Sequence, residues 1–586
     1  MSKVIVFATP VFLLLIALEY IWGRRRAQNG TGHDTYRLND MINSVSLGVL
    51  SQLSGVLTKL FTVGIYTAVF GAVALFPKAD LWNSWVGWVL ALLLYDLCYY
   101  WYHRAGHEVA LLWAAHVVHH QSQHYNLSTA LRQTSSGAFV SWIFYLPMAV
   151  LGVPPLLFGI VALVDLLYQF WVHTEQVGKL GWFDRVFCSP SNHRVHHAVN
   201  EPYINRNYGG LLVVWDRMFG SFQEEHEKCI YGTRSQLNSW DPLWANAEVY
   251  VALAKASWRT RHWGDKLRIW FKPPGWKPAD LAGNTPPAAY RLDTITTYNP
   301  PLSRAQQWFA AVQFGLSLAA GSVFLWNADA LSLGEAVVWV GALSLGMWAL
   351  GMFMQGRLAM LEVLMLESAV LATLGSLPWV GMPELHLAFK PLTMIFAITF
   401  IAICAISTKP AARFGTKFYA LLLGAMVFSL GGDVFLMLPG DLFIPGLASF
   451  LVAHLFYIAL FKQGQPWFPH RGALLGVLGF GAFMLAALWG SLGDPVLKMA
   501  VTAYVTVISL MAAQAIGRAT VQGDAASRWV AVGAYVFMAS DSLIAVNKFL
   551  SPVPHSSLWI LLTYYTAQML IMHHVLRAGG QQPARR

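Results

Sequence analysis

Long apolar runs recur along the whole chain and alternate with polar segments. A run of about 18 residues is long enough to cross the hydrocarbon layer of a membrane as a helix. The first run, residues 3–22, ends at Arg24–Arg26 and has no small-residue cleavage site after it, so we predict a retained anchor. Runs at 45–76 and 85–102 follow. The run at 45–76 is too long for one perpendicular span, and we expect it to tilt or to break at Gly64.

The apolar stretch at 138–172 is interrupted by Gly152, Val153, Pro154 and Pro155, residues that stop a helix. It is predicted to form a helical hairpin that returns to the side on which it starts. A segment rich in Pro, Gly, Thr and Asn, 278–302, is predicted to be a surface connection. Further spans are predicted at 307–326, 335–353, 361–381, 391–407, 418–438, 443–461, 472–491, 497–515, 529–546 and 557–576.

The pattern predicts an all-α, polytopic integral membrane protein with two domains. Residues 1–381 carry the histidine-rich motifs, and residues 382–586 are predicted to form a second membrane bundle with a different set of polar residues. Composition agrees, because 56% of residues are hydrophobic, 12% are charged and the mean hydropathy is +0.49. Such a chain has too little polar surface to cover a soluble globule of its size.

The net charge of +10 comes from basic residues in predicted loops. The segment 255–277 carries seven of them: Lys255, Arg259, Arg261, Lys266, Arg268, Lys272 and Lys277. The positive-inside rule places such loops in the cytoplasm, which accounts for the charge without nucleic-acid binding. Counting spans from the first anchor then places both histidine-rich regions on the cytoplasmic side. The cysteines, Cys98, Cys188, Cys229 and Cys404, are scattered and form no CxxC motif.

Ten of the 19 histidines lie between positions 103 and 197. Nine of them form an HxxxH motif, two HxxHH motifs and one single position: His103 and His107; His116, His119 and His120; His193, His196 and His197; and His173. Because positions i, i+3 and i+4 share one face of a helix, each box is expected to aim its imidazoles at a common point. We predict that all nine bind metal. His124 lies outside the boxes and can equally be an ordinary interfacial histidine.

Nitrogen ligands without thiolates suit iron, copper or zinc. A structural zinc site needs about four ligands, so the larger number indicates two ions, which fits oxygen activation better than hydrolysis. The alternative is that the histidines are amphipathic residues gathered at the membrane interface. The repetition of HxxHH favours the metal site.

The segments 99–133 and 168–222, with the words YHRAGHE, FWVHTE, SPSNHRVHH, NYGG and WDRMFGSF, resemble alkylglycerol monooxygenases of the fatty acid hydroxylase and sterol desaturase superfamily. The resemblance extends over about 1–375. It implies a di-iron site that uses O2 to hydroxylate the carbon next to a glycerol ether oxygen, giving a hemiacetal that collapses to a fatty aldehyde. It also implies tetrahydrobiopterin as reductant, although no pterin-binding motif is recognisable in the chain.

The same resemblance assigns a catalytic role to Glu108, which could position a ligand histidine or handle a proton. Its alternative is an interfacial helix carboxylate. One departure from the family pattern is Asn192, where a histidine stands in the animal enzymes. That position lies outside the HxxHH box, so the metal ligands are unaffected.

Residues 385–577, with the words FKPLTM, FSLGGDVFLMLPG, FLVAHLFYIALF, GAYVFMASDSLIA and TYYTAQMLI, resemble the lysoplasmalogenase family of eight-helix membrane proteins. Asp433 and Asp541 are carboxylates within apolar runs, where ionised groups are expensive and usually functional. Two carboxylates could protonate a vinyl ether and stabilise the cation that forms. The alternative is that the pair only joins two helices. Other residues that could complete a polar pocket are Lys390, His454, Tyr504 and Asn547.

Both resemblances imply the release of a fatty aldehyde from a glycerol ether lipid. We therefore predict a bifunctional ether-lipid enzyme that binds alkylglycerols and lysoplasmalogens in the membrane, with an unidentified electron donor and no nucleic-acid partner. One alternative is a hydroxylase of fatty acyl chains, sterols or carotenoids with a non-catalytic second domain. Another is a polytopic transporter or lipid-binding protein, although no inverted halves are visible in the sequence.

Overall fold

The computed structural model describes residues 2–282, 291–407 and 414–578, and residues 283–290 of the predicted connection lie outside them. Regular structure in these ranges is helical, and the extended segments form only the isolated bridges Phe187–Leu212 and Ala198–Tyr231. The chain divides into two compact units, Met1–Leu358 and Ala359–Arg586. The predicted all-α membrane fold is confirmed. The partition of function between 1–381 and 382–586 stays a prediction.

The first unit contains fifteen α-helices within the described ranges. They are α1 Ser2–Gln28, α2 Leu38–Lys59, α3 Ile65–Val73, α4 Trp85–Glu108, α5 Ala110–His120, α6 Leu127–Ala130, α7 Ala138–Leu151, α8 Pro155–Trp171, α9 Pro190–His197, α10 Val214–Phe219, α11 Pro242–Arg259, α12 Trp263–Phe271, α13 Ala279–Ala282, α14 Arg304–Asn327 and α15 Leu333–Met354.

The second unit contains eight α-helices within the described ranges, and the first of them precedes the region 385–577 that resembles the eight-helix family. They are α16 Met360–Gly375, α17 Pro383–Ser407, α18 Thr416–Met437, α19 Phe443–Lys462, α20 Arg471–Leu488, α21 Pro495–Gln522, α22 Ala525–Phe549 and α23 Ser556–Val575. Neighbouring helices pack as the hairpins α16–α17, α18–α19 and α22–α23, and α21 packs against α19, α20 and α22. Their shared core is apolar and aromatic, with Met426, Tyr457 and Phe537 fully buried.

Ten helical segments of the described chain are long and apolar enough to cross a membrane: α1, α2 with α3, α14, α15 and α17 to α22. The chain is therefore a multi-pass integral membrane protein. The runs predicted at 85–102, 361–381 and 557–576 also form helices, α4, α16 and α23, which are not among these ten.

Two local predictions in the first unit have different outcomes. The segment 45–76 is not broken at Gly64, because a π-helical turn at Leu60–Gly64 carries α2 into α3. The hairpin at 138–172 is confirmed: Gly152 ends α7 with φ +94° and Pro155 begins α8. A Cβ atom at Gly152 would lie 2.6 Å from the Phe76 backbone, so only glycine fits this turn.

The basic segment 255–277 is largely helical, where a loop was expected. It includes the end of α11 and all of α12. Trp258, Trp263 and Phe271 are exposed there among the lysines and arginines. Exposed aromatic rings mixed with basic side chains are typical of helices that lie at a membrane surface.

Candidate functional site

Four parts of the first unit carry the nine histidines predicted to bind metal. His103 and His107 lie on α4, three more on α5 and three on α9, and His173 follows the end of α8. Eight of the nine are at most 9% exposed, and His116 is half-buried. All nine predicted positions therefore meet in one interior region.

Their ring nitrogens form two clusters, in each of which the potential ligand atoms lie within 4.8 Å of one another. Cluster one contains His103, His107, His116, His120 and His196. Cluster two contains His119, His173, His193 and His197. The histidines thus supply two groups of nitrogen ligands, as a site for two metal ions requires.

The prediction that each box serves one common point is wrong for both HxxHH boxes. On α5, the first and last histidines enter cluster one and His119 enters cluster two; on α9, His196 alone enters cluster one. Successive residues of an α-helix are about 100° apart, so i and i+4 differ by about 40° but i+3 and i+4 by about 100°. Each box can therefore contact two ions at once.

Backbone carbonyls orient several of these rings. Nδ1 of His119 lies 2.9 Å from the carbonyl oxygen of Arg132, and Nδ1 of His173 lies 2.7 Å from that of Gln169. A carbonyl can only accept, so each Nδ1 carries the proton and donates it. Each Nε2 therefore presents a lone pair to the cluster. His103 and His196 are held in the same way by the carbonyls of Tyr208 and Arg206.

Several ring nitrogens that face the clusters carry lone pairs with no hydrogen-bond donor, and a metal cation would bind them. Nε2 of His119 and Nε2 of His173 lie 3.2 Å apart, and both carry lone pairs, so neither can donate to the other. In cluster one, the buried Nε2 atoms of His107 and His196 have no hydrogen-bond partner. Buried polar atoms are rarely left unpaired, so this donor set fits bound metal.

Burial keeps these imidazoles neutral. It lowers the pKa of His119 to about 4 and that of His196 to about 3, and it lowers the pKa values of His193 and His197 well below the ordinary range. A metal ion binds neutral imidazole, so protons compete weakly at these positions near neutral pH.

Buried charged groups that support the site were missed by sequence reasoning. Arg132, 1% exposed, donates to the Val118 carbonyl on α5 and to Asn43 on α2. Arg194 on α9 pairs with Glu225 at 2.7 Å. Arginines next to the boxes were visible in the sequence, but their distant partners were not.

Two buried aspartates fix the segment that carries the Tyr208 carbonyl. Asp216 accepts from the backbone nitrogens of Tyr208 and Gly209 at 2.7 and 2.8 Å. Asp96, within the apolar helix α4, accepts from the nitrogens of Leu211 and Leu212 at 2.8 and 3.0 Å. The position of Asp96 in an apolar run was a sequence signal that could have identified it.

Three other positions that the sequence singled out lie outside both clusters. Glu108 is exposed at the end of α4 and pairs with Arg104 at 3.0 Å. His124 is half-buried and joins neither cluster. Asn192 donates to the carbonyls of Asp184 and Phe187, so it holds the start of α9.

In the second unit, Asp433 on α18 is buried and bound by two partners. Tyr564 donates to its Oδ2 at 2.6 Å, and Lys390 Nζ lies 3.8 Å from its Oδ1. Tyr564 also accepts from the Gln568 amide at 3.3 Å. Lys390 thus belongs to the predicted polar pocket, whereas Tyr564 and Gln568 were not predicted.

Asp541 on α22 has a different environment. Tyr504 donates to its Oδ2, and His454 Nε2 lies 3.6 Å from the same oxygen. The Phe537 ring contacts both His454, next to Asp541, and Tyr564, which binds Asp433. Asn547 does not join either group: its Oδ1 accepts from the Val553 nitrogen and fixes the turn after α22.

Comparison with known proteins agrees with this architecture. Residues 88–221 match the fatty acid hydroxylase family, and residues 385–575 match the YhhN family. The alkylglycerol monooxygenase of Danio rerio is 34% identical over 404 residues, which cover 68% of this chain and 86% of that protein. The human alkylglycerol monooxygenase is 36% identical over 318 residues, 53% of this chain and 69% of its own length.

The chain belongs to the alkylglycerol monooxygenase family. Its C-terminal part is a lysoplasmalogenase-like YhhN domain: lysoplasmalogenase TMEM86B of Sus scrofa is 34% identical over 169 residues, 29% of this chain and 69% of that protein. No solved structure matches the chain. Both resemblances seen in the sequence are thereby confirmed. Membership makes the chain a membrane-embedded oxidoreductase of lipid metabolism, and the family together with the histidine clusters indicates iron.

Proposed function

We propose that this alkylglycerol monooxygenase family member is a bifunctional ether-lipid enzyme. The histidine-bearing unit hydroxylates the carbon next to the ether oxygen of an alkylglycerol, and the YhhN domain hydrolyses the vinyl ether of a lysoplasmalogen. The observation that carries the first activity is the division of the nine histidines into two clusters. The family relationships support both substrate classes.

Two iron ions fit these clusters, since every ligand offered is an imidazole nitrogen. When bound, they supply the activation of O2 that inserts one oxygen atom into a C–H bond. The chain contributes the nine proposed ligands, and the carbonyls of Arg132 and Gln169 fix the tautomers of His119 and His173. The charged supports Arg132 and Arg194 hold α5 and α9 in register.

The proposed oxidation consumes O2, two electrons and two protons, and releases one water. Its product is a hemiacetal, which collapses to a fatty aldehyde and a glycerol lipid. The reductant we propose is tetrahydrobiopterin, on the basis of the resemblance to the family.

Glu108 is proposed to act indirectly, as a positioning residue. It pairs with Arg104, which donates to the Tyr100 hydroxyl at 3.2 Å. That hydroxyl lies 2.9 Å from Ser221 Oγ, and Ser221 donates to Asp216 at 2.6 Å. Since Asp216 holds the segment that orients cluster one, the exposed carboxylate is linked to the site by a continuous chain of polar contacts.

The decisive test is anaerobic purification with metal quantification, followed by incubation with an alkylglycerol, O2 and candidate reductants. We expect about two iron ions per chain and an O2-dependent release of fatty aldehyde that requires tetrahydrobiopterin. A stable alcohol without aldehyde would contradict the proposed substrate class and favour a fatty acyl, sterol or carotenoid hydroxylase.

We propose a cytoplasmic location for the histidine clusters. The basic residues of α11 and α12 and the cluster Arg24–Arg26 support it through the positive-inside rule. The backbone nitrogen of Ala110, at the start of α5, donates to the Lys272 carbonyl at 3.0 Å. The basic segment and a histidine-bearing helix therefore lie on the same side of the membrane.

A Gly264→Cys variant tests this orientation. Gly264 is exposed on α12, and a Cβ atom added there meets nothing within 4 Å. We expect an impermeant thiol reagent to label the variant only after the membrane is opened, because the new thiol faces the cytoplasm. The unsubstituted chain, whose cysteines are buried or half-buried, is the matched control. Labelling of the variant in intact cells would refute the orientation.

A further inference from the structure

Three polar side chains from three helices form a contiguous cluster in the second unit. Asp541 lies on α22, Tyr504 on α21 and His454 on α19. Tyr504 Oη donates to Asp541 Oδ2, and His454 Nε2 lies 3.0 Å from Tyr504 Oη. His454 is fully buried, with its ring against Phe537. These contacts join an imidazole to a carboxylate through one phenol.

The donor roles in this cluster follow from its geometry. The Tyr504 hydroxyl has one proton, which it directs to Asp541, so its oxygen accepts from His454. His454 Nε2 therefore carries a proton, while its buried Nδ1 has no hydrogen-bond partner. When His454 is protonated on both ring nitrogens, its Nε2 proton can pass to Tyr504 as the tyrosine proton passes to Asp541, which leaves a neutral imidazole and a carboxylic acid.

Asp541 and Tyr504 also line a cavity of about 70 Å³. Its other walls are almost entirely apolar and include Leu447, Phe480 and Met484. An apolar cavity with one carboxyl group in its wall suits a hydrocarbon chain that carries its reactive bond at that carboxyl group. Neither Asp433 nor His454 lines the cavity.

We propose that Asp541 is the acid that protonates the vinyl ether, and that His454, acting through Tyr504, is the positioning residue that shares its proton with Asp541. This inference rests on the proposed hydrolase function. The first carbons of the alkenyl chain, next to the vinyl ether, occupy the apolar cavity. Asp433, bound by Lys390 and Tyr564 outside the cavity, does not touch the reacting carbon.

The chemistry balances with water as the only co-reactant. The Asp541 carboxyl proton goes to the alkene carbon remote from the ether oxygen, which leaves an oxocarbenium ion. Water attacks the carbon beside that oxygen and returns a proton to Asp541. The resulting hemiacetal breaks its C–O bond, releasing a fatty aldehyde and the chain-free glycerol alcohol that carried the alkenyl group.

Few ionisable groups of the described chain lie near His454. Tyr504 and Asp541 face it from α21 and α22. On the other side of Phe537, Asp433 on α18 contacts two ionisable groups of neighbouring helices. These are Lys390 on α17 and Tyr564 on α23.

The test compares full-length wild type with His454→Gln and Tyr504→Phe in two measurements. The first is the pH profile of kcat/KM for lysoplasmalogen hydrolysis. The second is infrared titration of the carboxylic acid band that Asp541→Asn removes. His470→Asn, at the exposed N-cap of α20 where Asn can still accept the hydrogen bond, is the control.

In His454→Gln we expect the basic limb of the rate profile to change, because the acid no longer shares its proton with an imidazole. The Asp541 infrared midpoint should shift as well, and neither should change in His470→Asn. Tyr504→Phe should lower kcat at least tenfold, because the relay is cut. If His454→Gln leaves both the limb and the infrared midpoint unchanged, the inference is wrong. If the Asp541 infrared midpoint depends on His454 but the wild-type protein does not hydrolyse lysoplasmalogen, the proposed function is wrong. The catalytic role of Asp541 is then wrong as well.

Discussion

Alanine at His119 or at His196 is expected to remove bound iron and to reduce alkyl-ether oxidation to background. The two substitutions affect different clusters: His119 is one of the four histidines of cluster two, and His196 one of the five of cluster one. Alanine offers no nitrogen, and the Nε2 atoms that remain converge on a position with one ligand fewer. Metal content by elemental analysis and aldehyde release from an alkylglycerol are the measurements.

His124→Ala is the matched control for these variants. His124 lies in the same region and is half-buried, but it belongs to neither cluster. It should keep both iron and activity. Full metal content in both His119→Ala and His196→Ala would refute the ligand assignment. Loss of metal in the control as well would mean that folding, not ligation, had been measured.

The second large effect is expected in the other unit. Asp541→Asn should lower vinyl-ether hydrolysis by about a hundredfold or more, the usual contribution of a general acid, and Asp433→Asn should lower it less, because that carboxylate lies outside the cavity and acts on the developing charge only at a distance. Iron content and alkyl-ether oxidation should not change. Vinyl-ether hydration needs proton transfer but neither O2 nor a redox metal, so the two chemistries are separable. Asn keeps the size of Asp and part of its hydrogen bonding.

Asp441→Asn, at an exposed position between α18 and α19, is the control for this pair. It should hydrolyse lysoplasmalogen at the wild-type rate. Two results would contradict the proposal: wild-type protein that never hydrolyses lysoplasmalogen, or an Asp433 or Asp541 variant that loses iron and oxidation together. The second result would mean that the chain holds one composite site.

The helices were largely predictable because apolar length and helix-stopping residues are local signals. The turn at Gly152 and Pro155 is an example, since its neighbours in sequence determine it. Of the two alternatives for the segment 45–76, the break at Gly64 was wrong, because a glycine inside a long helix can also be accommodated by a π-helical turn, and the tilt stays a prediction. The basic segment around α12 was expected to be a loop, because its many lysines and arginines drew attention away from the apolar residues between them.

The histidines of the site were predictable by spacing, but their division between clusters was not. That division depends on which side of α5 and α9 faces each cluster, and this is determined by partners far away in sequence. Arg132 is one such partner: it joins α5 to Asn43 on α2. In the second unit, Asp433 and Asp541 were visible as charges in apolar runs, whereas Tyr564 looked like any other aromatic residue.

The mixed membership of each HxxHH box has a consequence for how the two metal positions are spaced. The helices α5 and α9 each reach both clusters from a single rigid turn, because residues i+3 and i+4 point about 100° apart around the helix axis. The direction in which side chains leave two short helices, rather than the length of any connecting segment, therefore sets the offset between the clusters. Insertions in the surrounding loops could change which lipids enter, but the separation of the two ions would remain a property of the peptide backbone.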